Sequence, residues 1–252
     1  MVMSFLNIDG KSEFQLALLV SNIIEEKSDL VEFHSSYDEL VTSMMSNPLE
    51  TLDQFLLDYK NFGFVQKSSV QTEIWHSDIV RVFEAREGIP ITMGVLLIET
   101  ANRCGFEAKG VNYPGHFLVN INGELIDPMG LEKLDREKLQ NVDEKTGASL
   151  SSVSPLVVLL RMLNNLKALY LRTQSWHEAI KIIDLQVDVS GTNKRLRASL
   201  IYEQAELWCR LQAFSVARQL FLDCSSMSED RDLVNRSQAR VVELSTHEQT
   251  WH

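Results

Sequence analysis

Cysteine is scarce in this chain of 252 residues, which has only Cys104, Cys209 and Cys224. No two of them form a C-x-x-C pair, and an odd, sparse set is a poor basis for a disulfide framework. We therefore expect a protein of a reducing compartment, with the cytoplasm as its location. The N-terminus also lacks the basic segment and the apolar core of a signal peptide.

Long apolar runs and basic clusters are missing as well. The longest purely apolar runs have four or five residues, whereas a helix that spans a membrane needs about 20. Lysine and arginine number 24 against 35 acidic residues, which gives a formal net charge of -11 at pH 7. A nucleic-acid-binding protein needs a basic face, so we expect no nucleic-acid partner, and no membrane partner either.

Motifs that hold phosphates or metals are also absent. The sequence contains neither G-x-x-x-x-G-K-[ST] nor G-x-G-x-x-G. His34 and His76 have no second histidine or cysteine at metal-ligand spacing, and we interpret both as surface residues. No cofactor and no metal are therefore expected. Hydrophobic residues make up 44%, which is enough for a sizeable buried core.

Helical periodicity dominates the first third of the chain. Ser12 is a candidate N-cap for the first helix, and Ser77 or Asp78 is a candidate for the last one, which is expected to end at Gly88. The residues from 65 to 77 are polar and lack a period, so they are predicted to form a loop. The predicted helices are 12–26, 29–45, 48–60 (opened by Pro48) and the segment after Asp78.

The stretch from residue 90 to residue 127 changes from a helical period to an alternating one. Pro90 stands directly ahead of ITMGVLLIETANRCG, where its fixed φ favours a helix start, and Gly105 is a natural stop. Asn122-Gly123 predicts a two-residue hairpin turn. The predicted strands are 108–112, 116–121 and 124–127. These features predict an α+β fold that is mostly helical and has a small antiparallel sheet.

The chain after Pro155 is predicted to be helical and contains an internal repeat. LYLRTQSWHEAIKII at 169–183 aligns with LWCRLQAFSVARQLF at 207–221, an offset of 38 residues. The pattern resembles tetratricopeptide repeats, whose nominal period is about 34, although a plain helical bundle with two similar hairpins is the alternative. We place the domains at 1–150 and 151–252, and expect the helical repeats to bind a protein or peptide partner.

A histidine and an aspartate come together if the hairpin turn is Asn122-Gly123. Counting outward from that turn puts Leu118 opposite Asp127, with His116 two residues further along the same face. The two side chains are then diagonal neighbours, roughly 7–8 Å apart at the backbone. An aspartate there can orient one imidazole nitrogen, as in a catalytic triad. A structural pair, or two solvated residues, is the alternative.

The helix that starts at Pro90 completes a known layout. A helix start that faces a His–Asp hairpin is typical of papain-like and transglutaminase-like catalytic cores. The segments REGIPITMGVLLIE, NYPGHF, ELIDP and RMLNNLKALY resemble the bacterial SirB family. That family has a transglutaminase-like domain followed by tetratricopeptide-like helices. The resemblance implies an α+β core with His116 and Asp127 at the positions of the catalytic histidine and aspartate of transglutaminases.

The nucleophile that this resemblance leads one to expect is missing. Catalytic transglutaminase-like domains carry cysteine in the first turn of this helix, where this chain has Ile91, Thr92 and Met93. Cys104 lies on the order of 20 Å away at about 1.5 Å of rise per residue, and is interpreted as a buried apolar residue. Thr92 is the hydroxyl in the right place. Either it caps the helix, or it is a nucleophile that His116 activates.

Three functions remain open at this point. The first, which the missing thiol favours, is a non-catalytic protein that binds a ligand or peptide in a degenerate cleft. The second is a hydrolase or acyl transferase that uses Thr92 with His116 and Asp127. The third is a scaffold in which the His–Asp pair is structural. Whether the chain is an enzyme stays open, and the absence of a catalytic cysteine favours the answer no.

Overall fold

The first two-thirds of the chain place a small antiparallel sheet among helices, which is the predicted α+β class. The computed structural model describes residues 8–26, 30–46, 51–64, 72–113, 115–137, 139 and 150–249. These residues divide into two compact units, Ile8–Met162 and the part from Leu163 onward. The division falls inside a helix, beyond the predicted domain boundary at 150. None of the described helices is both long and apolar enough to cross a membrane.

Five α-helices of the first unit precede or contact the sheet. Ser12 caps the first of them through a reciprocal pair of bonds with Gln15, as predicted from its position. Asp78 caps the fourth by accepting the Val80 N–H at 3.0 Å. The helices are α1 (Glu13–Ile24), α2 (Val31–Met45), α3 (Leu52–Asn61), α4 (Ile79–Ala85) and α5 (Pro90–Arg103).

Three local predictions in this region were wrong. Helix α3 begins at Leu52 behind an N-cap at Thr51, and Pro48 lies outside the described residues. Helix α4 stops at Ala85, because Arg86 adopts a left-handed conformation with φ of 57° and ends the helix before Gly88. Part of the predicted loop at 65–77 is a short 3-10 helix, η1 (Ile74–Ser77), while 65–71 lie outside the described residues.

The sheet has four antiparallel strands in sequential order, one more than predicted. Asn122 and Gly123 both have positive φ, 50° and 94°, as a primed two-residue turn requires. The fourth strand forms the edge of the sheet and is polar and mostly exposed, so it shows no alternation in the sequence. The strands are β1 (Ala108–Tyr113), β2 (His116–Ile121), β3 (Glu124–Asp127) and β4 (Glu132–Leu134).

Helix α5 packs on one face of this sheet at unusually close range. A Cβ added to Gly94 would lie 2.5 Å from the Phe117 ring, and one added to Gly110 would lie 2.8 Å from the same ring. Val119, on the same face as Phe117, lines the contact with Gly94. The opposite face carries a separate apolar cluster that includes Leu118 and Leu125. The two faces of the sheet therefore have different neighbours.

The second unit consists of consecutive helices whose turns repeat. Gln174 and Gln212, equivalent at the 38-residue offset, both adopt a left-handed conformation with φ of 57° and 59°. In the first turn the Ser175 N–H donates to the Tyr170 carbonyl oxygen at 2.9 Å, and in the second the Ala213 N–H donates to that of Trp208 at 2.9 Å. Both bonds reach back five residues, as in a Schellman cap. The helices are α6 (Pro155–Arg172), α7 (Trp176–Val189), α8 (Lys194–Arg210), α9 (Phe214–Met227) and α10 (Arg231–Gln249).

The close contact at Gly94 gives a test of the packing. In a helix interior alanine is more stable than glycine by about 1 kcal/mol. We nevertheless expect Gly94→Ala to destabilise the protein by about 1–3 kcal/mol, because the new methyl overlaps Phe117. Gly130→Ala, which meets nothing closer than 3.5 Å, is the control and should be nearly neutral. Urea unfolding measures both. A Gly94→Ala variant more stable than wild type would contradict this packing.

The repeated turns give a second test. A residue other than glycine loses about 1–2 kcal/mol in the left-handed conformation, and glycine does not. Glycine loses more backbone entropy on folding, which cancels part of this advantage. We expect Gln174→Gly and Gln212→Gly each to raise the unfolding free energy by about 0.5–1 kcal/mol. Gln219→Gly, at an exposed interior position of α9, should instead cost about 1 kcal/mol. A loss of stability at both turns would show that the left-handed conformation is not a cost that glycine relieves at these caps.

Candidate functional site

The first turn of α5 is built around the hydroxyl of Thr92. Pro90 supplies the first helical residue, and Thr92 follows two positions later. The Thr92 Oγ1 accepts the Ile89 N–H at 3.2 Å and donates towards the carbonyl oxygens of His76 at 2.9 Å and Ile89 at 3.0 Å. Thr92 is fully buried, with 0% exposure. This geometry is that of the helix cap, the first of the two roles considered for it.

The loop between α4 and α5 is held by packing at Arg86 and Gly88. The Arg86 guanidinium lies over the rings of Phe64 and Phe83, with its carbon 4.4 and 4.1 Å from their centroids. A Cβ on Gly88 would lie 2.7 Å from Val82 Cγ1 and 2.8 Å from the Thr92 hydroxyl, so only glycine fits there. Burial lowers the pKa of Arg86, and no carboxylate among the residues that the structure describes pairs with it to offset this. The segment REG thus has a structural explanation.

His76 was predicted at the surface, and that interpretation was wrong. Its side chain is 4% exposed, its ring stacks on Trp75 at 3.8 Å, and its Nδ1 accepts the Glu73 N–H at 2.9 Å. Its Nε2 lies 3.8 Å from a Glu87 carboxylate oxygen. The backbone carbonyl of His76 also accepts the hydrogen bond from the Thr92 hydroxyl. The sequence features that could have indicated this burial are the adjacent Trp75 and the helix cap at Asp78, two residues after His76.

The strand register is the one counted from the hairpin turn. Val119 pairs with Ile126, which puts His116 and Asp127 on the same face of the sheet as diagonal neighbours. His116 is exposed, and its ring centroid lies 6.5 Å from that of Tyr113, its partner on β1. Asp127 is half-buried and accepts the Met129 N–H at 2.9 Å. No hydrogen bond joins His116 to Asp127 in the part of the chain that the structure describes.

The face that carries His116 is not the face that meets α5. Phe117 and Val119 approach Gly94, and successive side chains alternate, so His116 belongs to the face of Leu118 and Tyr113. His116 nevertheless lies at the end of the sheet nearest the start of α5. Gly94, in the second turn of that helix, contacts Phe117, the residue after His116. The described hydrogen bonds of Thr92 involve backbone groups, and none involves His116.

None of the three cysteines lies at the start of α5. Cys104 is at the other end of that helix and is half-buried, not fully buried as predicted. Cys209 and Cys224 belong to α8 and α9 of the second unit. Burial raises the pKa of all three thiols, which disfavours the reactive thiolate. Among the described residues there is also no group of three or more His, Cys, Asp or Glu suited to a metal ion.

Comparison with known families agrees with this arrangement. The sequence profile of the transglutaminase-like superfamily matches residues 24–164, which is more than half of the chain. The chain belongs to the transglutaminase-like superfamily. The matched segment includes α5, the whole sheet and the start of α6. The superfamily profile does not extend over the repeated helices of the second unit.

This transglutaminase-like protein is similar to several curated UPF0162 proteins. One from Xylella fastidiosa is 35% identical over 125 residues, 43% of this chain and 44% of the relative. One from Vibrio cholerae is 26% identical over 153 residues, 51% and 53% of the two chains. One from Pseudomonas aeruginosa is 31% identical over 99 residues, 35% and 37%. The match thus spans about half the length of the relatives or less. No solved structure matches significantly.

Replacement of Thr92 by its isostere tests the cap. Thr92→Val keeps the shape but leaves the Ile89 N–H and the His76 carbonyl without this partner, so we expect a loss of about 1–3 kcal/mol. Thr92→Ser keeps the hydroxyl and should cost less than about 1.5 kcal/mol, mainly for the lost methyl. Chemical denaturation measures both variants. If valine is tolerated as well as serine, the hydroxyl is not a structural cap.

Proposed function

We propose that this chain is a non-catalytic member of the transglutaminase-like superfamily that binds a protein or peptide, through its degenerate cleft and its helical repeats. The observation that carries the proposal is the state of Thr92. At the place where catalytic members have a cysteine, this chain has a hydroxyl with no exposed surface that bonds to backbone groups of Ile89 and His76.

The chemistry of a nucleophile is not supported at that position. A hydroxyl acts as a nucleophile when a base within hydrogen-bond reach takes its proton. The Thr92 hydroxyl donates to carbonyl oxygens, which cannot take the proton, and it is closed off from any substrate. His116 has the exposure that a base needs, but it lies on the face of the sheet away from α5. The buried Thr92 and the exposed His116 are therefore not arranged as a nucleophile and its base.

Partner binding is supported by the second unit. Its two equivalent turns and the fully buried Ala179 and Ala217 fit tetratricopeptide-like helices that approach each other closely. Three of its large apolar side chains are exposed, Val216 (43%) and Leu222 (37%) on α9 and Val242 (66%) on α10. Exposed apolar groups on stacked helices are suited to the apolar centre of a protein interface.

One observation favours the second function, a hydrolase or acyl transferase that uses His116 and Asp127 with Thr92. The register keeps the two polar side chains on one face, at the end of the sheet nearest the start of α5. For this chemistry the Thr92 hydroxyl has to leave its cap and β2 has to turn His116 towards it. The cap geometry makes this the less favoured function.

Labelling and partner capture separate the two functions. We expect no labelling of the full chain by a fluorophosphonate probe, and no hydrolysis of p-nitrophenyl acetate above that of His116→Ala. We also expect the partner captured from native host cells to be retained by His116→Ala and lost by the double variant Val216→Glu and Leu222→Glu. Leu57→Glu, which changes an exposed apolar residue of the first unit (54% exposed), is the matched control and should retain the partner.

Two outcomes would contradict the proposal. Labelling of Thr92 that disappears in His116→Ala would show a working nucleophile and would establish the enzymatic function instead. Retention of the same partner by the α9 double variant would show that the exposed apolar residues of α9 do not provide the surface. Circular dichroism of each variant has to match wild type, since a misfolded chain also loses its partners.

A further inference from the structure

Arg161, near the middle of α6, is a half-buried cation with neutral contacts. Its Nη1 donates to the side-chain oxygen of Asn112 and, at 3.3 Å, to the carbonyl oxygen of Tyr113. Its guanidinium carbon lies 5.8 Å from the centre of the Phe117 ring. In the described part of the chain no carboxylate pairs with it, and its Nε and Nη2 have no hydrogen bond.

Arg161 shares with Arg86 the lack of a described acidic partner, in a part of the protein where acidic residues outnumber basic ones. Residues 1–162 contain 24 aspartates and glutamates against 13 lysines and arginines. Other cations of the same unit pair with carboxylates: Arg81 with Glu25 at 2.6 Å, Arg103 with Asp38 at 2.8 Å, and Lys133 with Asp53 at 2.7 Å. Burial lowers the pKa of Arg161, because its charge has lost water without gaining an opposite charge.

Arg161 lies on the face of the sheet that packs on α5. Asn112 and Phe117 pair across β1 and β2, on the face of the sheet that packs on α5. Phe117 contacts Gly94, in the second turn of α5, and also lies under the Arg161 guanidinium. Arg161 therefore occupies the side of the sheet that faces the helix, whereas His116 occupies the other side.

We propose that Arg161 binds a carboxylate group of the peptide ligand, oriented by Asn112 and the Tyr113 carbonyl; the inference rests on the proposed peptide-binding function. The planar edge formed by Nε and Nη2 matches the two oxygens of a carboxylate, which accept parallel hydrogen bonds. The bonds to Asn112 and Tyr113 use Nη1 and fix the plane of the fork. Lysine has no such edge, so the site favours arginine on geometric grounds.

The test follows the Nε–H signal of Arg161 by NMR in the full chain while N-acetyl-trialanine with a free carboxylate is added. The same tripeptide as its C-terminal amide is the matched probe, and inorganic phosphate is a third. We expect a saturable shift with the acid and none with the amide. In Arg161→Met the backbone signals of Asn112 and Phe117 should report binding at least about tenfold weaker, because a charge-assisted pair is lost.

Arg103→Met is the control, since Arg103 belongs to the same unit and already has a carboxylate partner; its affinity for the acid should equal that of wild type. Equal binding of acid and amide, tighter binding of phosphate, no shift at millimolar probe, or unchanged affinity in Arg161→Met each overturns the inference. If Arg161→Met does not fold, the comparison of acid with amide on wild type still decides. Retention of the captured partner by the Val216→Glu and Leu222→Glu double variant, together with intact carboxylate binding at Arg161, counts against the proposed function alone.

Discussion

The hydroxyl of Thr92 is the contact on which the arrangement around α5 depends. It joins η1, through the carbonyl of His76, to the residue that precedes the helix, and it does so without access to water. Because its partners are backbone groups in the core, this one oxygen keeps two of them satisfied. The Arg86 guanidinium and the tight fit at Gly88 hold the same loop from its other side. Hydrogen bonds and packing together give the segment around the start of α5 a structural role.

Local chemistry explains which parts of this fold could be predicted from the sequence. Asn122 and Gly123 accept positive φ, so the turn sets the pairing of β2 with β3 and the face shared by His116 and Asp127. No strand pattern indicates which face meets a helix. That choice comes from the fit of Phe117 against Gly94, which is a contact between residues distant in sequence. His76 was misplaced for the same reason, since η1 is covered by α1 and α4.

The two units also differ in their charge. Residues 163–252 contain 11 basic and 11 acidic residues, so the net charge of -11 belongs to residues 1–162. The transglutaminase-like unit thus has an acidic field, in which the half-buried Arg86 and Arg161 are local exceptions, while the helical unit is balanced overall. Exposed large apolar side chains occur in both units, for example Leu57 in the first and Val242 in the second, so the units differ in net charge and not in the presence of apolar surface.

The cap at Thr92 also constrains how this lineage can change. A cysteine at position 92 would place sulfur, a weak hydrogen-bonding atom with longer bonds, where Ile89 and His76 now meet an oxygen. The thiol would be sealed in the interior and would weaken the loop that surrounds it. A thiol at position 92 would therefore need further substitutions around Ile89 and His76 to replace the hydrogen bonds that the hydroxyl now makes.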